Sequence, residues 1–187
     1  MQTIENSLLQ VSVDENGAQL AHVISKQGDF DYFDNEEKQE KAVAVFKAAD
    51  NDENLALTLP WTVVDKGDAR VSLTLIDTAN SYKKFPYHFE IMLTYSIEAN
   101  QMKIAFHLKN NSNKEMPFSL DYNLPLSSNV AEESVNRIVL EDADKKVILE
   151  SADFKISSAQ DEISCAINQA TLAPETSQDV ELNFVFE

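Results

Sequence analysis

Cysteine, glycine and positive charge are all scarce in this 187-residue chain. Cys165 is the single cysteine, so no internal disulfide can form, a usage that suits a reducing compartment. With no neighbouring histidine or cationic cluster to lower its pKa, it is expected to pack rather than react. Three glycines must serve every turn, so asparagine and aspartate are expected at many of the tight positions. No stretch approaches the roughly 20 apolar residues of a membrane span. The opening MQTIENSLLQ has neither the basic nor the apolar region of a signal peptide. Both absences lead to the expectation of a cytoplasmic protein, in which the Asn110-Asn111-Ser112 glycosylation pattern is coincidental. Lys and Arg number 15 against 32 Asp and Glu, a formal net charge of −17. That balance argues against nucleic acid and against anionic membrane surfaces, both of which need a basic face. The acids are scattered, as on a soluble, self-repelling surface.

What the chain does have is alternation with period two. In FPYHFEIMLTYSI, Phe85, Tyr87, Phe89, Ile91, Leu93, Tyr95 and Ile97 share one face, and His88, Glu90, Thr94 and Ser96 the other. This predicts a long half-buried strand. After the turn EANQ, Met102, Ile104, Phe106 and Leu108 point inward, with Lys103, His107 and Lys109 outward, completing an antiparallel hairpin. The same pattern recurs in LLQVSV, AQLAHVIS, ARVSLTLI, NRIVLE, KKVILE, DFKIS, EISCAIN and DVELNFVFE. KQEKAVAVFKAAD suits either a helix or a strand. Many strands with few helices predict an all-β, mostly antiparallel β-sandwich. Neither a repeat nor a linker divides residues 1–187, so one domain is expected.

Chemical motifs are sparse. DNDEN, at 50–54, does not continue as a calcium loop, because Leu55 and Trp61 stand where such a loop needs Gly and a bidentate acid. The three histidines, His22, His88 and His107, have no second ligand at zinc spacing, and no metal is expected. His107 alternates with lysines and is expected to be exposed. His22 shares the parity of Leu20 and Ile24 and is expected to be partly buried. No nucleophile elbow, phosphate loop or dinucleotide fingerprint occurs, so no cofactor is expected. Trp61 sits in an apolar run and is expected in the core.

Several stretches resemble the aldose 1-epimerase (galactose mutarotase) family, and more closely its shorter bacterial relatives. TIENSLLQVSVDENGAQLAHV resembles the opening strands, and TLPWTVVDKGDARVSLTL the strand pair before the central hairpin. The most specific match is YKKFPYHFEIMLTYSIEANQMKIAFHLKNNSNKEMPFSL, and ATLAPETSQDVELNFVFE resembles the closing strand. The resemblance implies a large twisted supersandwich, here shortened, that binds a free hexose on a concave sheet face. In the family a histidine protonates the ring oxygen while a glutamate deprotonates the anomeric hydroxyl.

After Met-Pro-Phe-Ser the family typically reads hydrophobic-Gly-Gly-His-Pro. Here Leu120, Asp121, Tyr122, Asn123 and Leu124 follow, with Asn123 at the histidine's place. An amide hydrogen-bonds but does not cycle a proton near neutral pH. The family's His-Gly-x-x-Arg segment is missing between Pro60 and Trp61, and no late glutamate aligns. The leading reading is therefore a degenerate mutarotase-like domain that binds carbohydrate without epimerase catalysis, with Asp121, Tyr122, Asn123 and His88 as ligand-binding candidates. Two alternatives stand beside it. One is an active epimerase with relocated acid and base groups, Asp121 with Tyr122, or His88. The other is a β-sandwich interaction module with no sugar ligand, pairing through its surface or an exposed strand edge. The expected partner is a sugar; a homo-oligomer is left open without being indicated.

Overall fold

The computed structural model describes residues 1–33, 43–48 and 51–187. In chain order its strands begin with β1 (Gln2–Glu5), β2 (Leu9–Asp14), β3 (Gln19–Ser25), β4 (Phe30–Asp31) and β5 (Val43–Ala48). The short helix α1 (Leu55–Thr58) precedes β6 (Trp61–Lys66) and β7 (Arg70–Ile76), and α2 (Ala79–Lys84) precedes β8 (Phe89–Glu98). Then come β9 (Gln101–Asn110), β10 (Met116–Pro125), β11 (Val130–Ser134), β12 (Arg137–Glu141) and β13 (Lys146–Glu150). The last are β14 (Lys155–Ala159), β15 (Glu162–Leu172) and β16 (Ser177–Phe186).

These strands form three sheets, of order β1-β2-β3-β4, β14-β15-β10-β5 and β11-β12-β13-β16-β9-β8-β7-β6. Every pairing within them is antiparallel, as the alternation predicts. Their inner faces meet in one buried cluster, to which β8 and β9 send Leu93, Tyr95, Ile104 and Phe106, β10 sends Phe118, Leu120 and Tyr122, and β2 sends Val11 and Val13. The ambiguous AVAVF is a strand, β5, while residues 38–42 and 49–50 of that stretch lie outside the described residues.

Four departures from the sequence expectations have local causes. The strand expected from Phe85 begins at Phe89, because residues 79–84 form α2. Thr78 and Ser81 close a capping box there, the Ser81 amide donating to Thr78 Oγ1 (3.1 Å) and the Thr78 amide to Ser81 Oγ (2.9 Å). Phe85 then folds back onto Phe46 and Phe89, with ring centroids 6.2 and 5.6 Å away. His22 is exposed rather than partly buried. The register slips between Ser12 and Val13, so Leu20 and Val23 point inward and His22 outward. Trp61 is half-buried at the edge of the core, its Nε1 donating to the Ala56 carbonyl at 2.7 Å.

The fourth departure concerns turns. The left-handed positions among the described residues hold Gly17 (φ 78°) and also Ala18, Asp29, Ala99, Gln160, Gln169 and Glu175. Asp29 alone fits the expectation that Asn and Asp would fill them. Asparagine instead organises loops through its side chain. Asn6 Oδ1 accepts from the amides of Leu8 and Leu9. Asn54 accepts from Phe46 and Ala56 and donates to the Ala44 carbonyl. Asn110, fully buried, donates to the carbonyls of Lys114, Leu172 and Ala173 and accepts from Ser112.

A hydrogen-bond chain joins the three sheets at their centre. Tyr95 on β8 and Tyr122 on β10 are both fully buried. The Tyr95 hydroxyl donates to the Ala18 carbonyl at 2.6 Å and lies 3.0 Å from the Tyr122 hydroxyl. The Leu20 backbone is bonded to Tyr122 in turn. Burial raises both phenols far from ionisation, so they act as neutral hydrogen-bonding groups.

Tyr95→Phe leaves the Ala18 carbonyl and a Tyr122 hydroxyl without their partner and is expected to destabilise by about 1–3 kcal/mol in urea unfolding. The double change Tyr95→Phe with Tyr122→Phe is expected to cost clearly less than the sum of the single changes; additive costs would rule out the shared network. At the β8–β9 turn, where Ala99 has a φ of 50°, Ala99→Gly is expected to stabilise by roughly 0.5–1 kcal/mol. An unchanged or lowered urea midpoint would show that this turn carries no strain.

Candidate functional site

The stretch that departs most from the resemblance lies on β10, between β15 and β5 in the second sheet. Its residues alternate strictly. Met116, Phe118, Leu120, Tyr122 and Leu124 are buried in the interior, while Pro117, Ser119, Asp121 and Asn123 are half-buried on the outer face. Directly paired residues of an antiparallel sheet share a face. Asp121 therefore lies between Val45 of β5 and Ala166 of β15, and Asn123 between Val43 and Ser164. Lys47 stands opposite Ser119, one pair further along. The result is a polar strip on β10 with valines on one side and small residues on the other.

Two atoms of this strip lack what burial normally demands. Asp121 Oδ1 and Asn123 Oδ1 are both shielded from solvent, and neither has a hydrogen-bond partner in the protein. A buried acceptor left unpaired costs about 1–3 kcal/mol, and native structures carry few of them. Residues two apart on a strand put their Cα atoms about 7 Å from each other on the same face. Burial pushes the Asp121 carboxyl above the usual aspartate range, and the Lys47 ammonium partly offsets this.

The other candidates are elsewhere. Tyr122 faces the opposite side of β10 from Asp121 and Asn123, and its hydroxyl is committed to Tyr95, so its ring is not on the outer face. His88 precedes β8. Its Nδ1 lies 2.9 Å from Asp77 Oδ2, its amide donates to Ser112 Oγ, and its ring stacks on Tyr82 at 4.6 Å. These contacts dock α2 against the start of β8, and none runs to Asp121 or Asn123. His22 and His107 have similar partners, each with Nδ1 2.7 Å from an aspartate oxygen, of Asp31 and Asp179 respectively.

The rest of the chemistry is structural. Cys165 pairs with Tyr122 on the inner face, where burial, and secondarily the charge of Asp121, pushes its thiol up to about 12. Among the described residues no three His, Cys, Asp or Glu side chains converge as a metal site. Asp50 of DNDEN lies outside the described residues, and Asn54 caps α1. On β15 the residues opposite Asp121 and Asn123 are Ala166 and Ser164, and Glu162, between Pro125 and Ala159, is exposed.

The sequence reading missed Val43, Val45, Lys47, Ser164 and Ala166, which reach the strip only through strand pairing. The direction of Tyr122 was there to be read: it shares the parity of Phe118, Leu120 and Leu124.

Residues 52–123 match the aldose 1-epimerase family. A search of curated proteins finds no significant match. Among solved structures, a galactose mutarotase-like protein from Lactobacillus casei superposes with a TM-score of 0.80 at 16% identity, covering 100% of both chains. A galactose mutarotase related enzyme from Lactobacillus acidophilus gives 0.72 at 15% identity, covering 100% of this chain and 97% of the other. A galactose mutarotase-like protein from Clostridium acetobutylicum gives 0.71 at 14% identity, covering 99% and 94%. At these identities the superpositions show the fold: a galactose mutarotase-like β-sandwich. The family match runs from just before α1 into β10, and the galactose mutarotase-like fold is shared from end to end.

Proposed function

We propose that this protein binds a free sugar on the outer face of β10 without the family's acid-base turnover. The observation that carries the reading is the pair of shielded, unpartnered acceptors, Asp121 Oδ1 and Asn123 Oδ1, on one face of one strand. Sugar hydroxyls are donors at close spacing, and a small outward turn of these half-buried side chains would present both acceptors to them. Val43 and Val45 flank the strip and offer apolar surface to the C–H face of a ring. The match of residues 52–123 to the aldose 1-epimerase family supports carbohydrate as the ligand class. Asn123, at the place of the family's histidine, can orient a hydroxyl but cannot pass a proton near neutral pH.

Binding surfaces of this kind are maintained at the expense of stability, and Asp121 gives that a sign. Its carboxyl is raised in the folded chain, so as pH increases the unfolded chain releases this proton first. The group's stability contribution is complete below the unfolded pKa and is lost as pH rises through the folded pKa. Asp121→Asn is therefore expected to be more stable than the parent at pH 7, with the gain gone below roughly pH 3. Urea midpoints at the two pH values read this out; an equal gain at both would exclude the carboxyl's charge as the cause.

For ligand binding, calorimetry and saturation-transfer NMR against hexoses and disaccharides are expected to show at least one ligand at millimolar concentration or below. Asn123→Ala should weaken it about tenfold or more. Polarimetry of freshly dissolved α-D-glucose and α-D-galactose is expected to match buffer. A silent panel removes the binding reading, and accelerated mutarotation removes the non-catalytic part of it.

A further inference from the structure

The outer face of β10 also indicates what kind of sugar it would select. Asp121, between Val45 and Ala166, places a carboxylate in the middle of the face. One oxygen of that carboxylate is shielded and unpartnered, and so is the neighbouring amide oxygen of Asn123. Both atoms accept, and an ionised carboxylate can only accept. A hydroxyl satisfies an acceptor but leaves the carboxylate's charge uncompensated. An ammonium supplies three donors and the opposite charge, and charge-assisted hydrogen bonds are roughly twice as strong as neutral ones.

Among the described residues, the protein's own cations do not fill this role. Lys47 is a pair further along β5, and its influence on Asp121 is through space, with no hydrogen bond between them. Lys155 lies on the far side of Ala166, on exposed β14. The net charge of −17 adds a long-range field that attracts cations and repels phosphate or carboxylate.

Resting on the carbohydrate-binding reading above, we propose that the site prefers an amino sugar, a 2-amino-2-deoxyhexose whose ammonium bonds the Asp121 carboxylate while the adjacent hydroxyl bonds the Asn123 amide oxygen, both half-buried side chains turning outward to meet it. A vicinal ammonium and hydroxyl, each with a hydrogen bond of about 2.8 Å, suit two acceptors on residues about 7 Å apart along a strand. Val43 and Val45 lie alongside to take the ring's apolar face.

The test is calorimetry on the full chain at a pH where the amine is protonated. The probes are D-glucosamine and D-galactosamine, the parent hexoses, the N-acetylated amino sugars and glucose 6-phosphate. The amino sugar is expected to bind at least tenfold tighter than its parent hexose and its N-acetyl derivative, with the phosphate weakest. In Asp121→Asn, with folding checked by circular dichroism, the amino-to-neutral affinity ratio is expected to fall below about threefold. Equal binding of amino and neutral sugars overturns this inference and leaves the carbohydrate reading standing. A preference that survives Asp121→Asn, or tightest binding of the phosphate, also overturns it. Binding of no sugar at all overturns both.

Discussion

The buried hydroxyl pair of Tyr95 and Tyr122 is the constraint around which the rest is arranged. It sits where a strand of the second sheet and a strand of the third meet the turn of the first, and it links Ala18, Leu20, β8 and β10 through neutral hydrogen bonds. Apolar contacts alone would let the two layers slide, because dispersion has no preferred direction. Two hydroxyls that are fully shielded and must each find a partner allow one arrangement. The rings add packing of their own: Phe106 meets Tyr122 at 5.9 Å, and Phe106 meets Phe154 at the same distance.

That constraint also decides the outer face. Once Tyr122 is held inward, the period of the strand sends Asp121 and Asn123 outward together. The protein thereby keeps two unpaired acceptors, one from an acid and one from an amide, on a single face of β10. The histidines that remain in the chain are each turned to a nearby aspartate and stabilise local packing or surface.

Much of the fold was legible in the sequence. The hairpin of β8 and β9, the short strands near the C-terminus and the inward set on β16 all follow from alternation, since a half-buried strand must separate apolar from polar residues every second position. Boundaries failed where local hydrogen bonding overrode the pattern, as at Thr78 and Ser81, which turn residues 79–84 into a helix before the aromatic run. Parity failed at His22, where a slipped register moves one residue without any mark in composition. The turns failed in a third way. With few glycines, strained alanine, glutamine and glutamate occupy the left-handed positions, and asparagine serves as a side-chain bridge.

Of the candidate site, the sequence by itself determined the chemistry of the central strip: an acid and an amide two residues apart on an alternating strand, with a tyrosine facing the other way. Local periodicity is enough for that, because a strand's faces are set by its own backbone. Only the tertiary structure decided what surrounds the strip. Val43, Val45 and Lys47 come from upstream and Ser164 and Ala166 from downstream, brought beside β10 by pairings that close long loops. Only the fold, too, shields the two oxygens and leaves them unpaired. Burial belongs to every element packed around an atom, and no single stretch of sequence carries it.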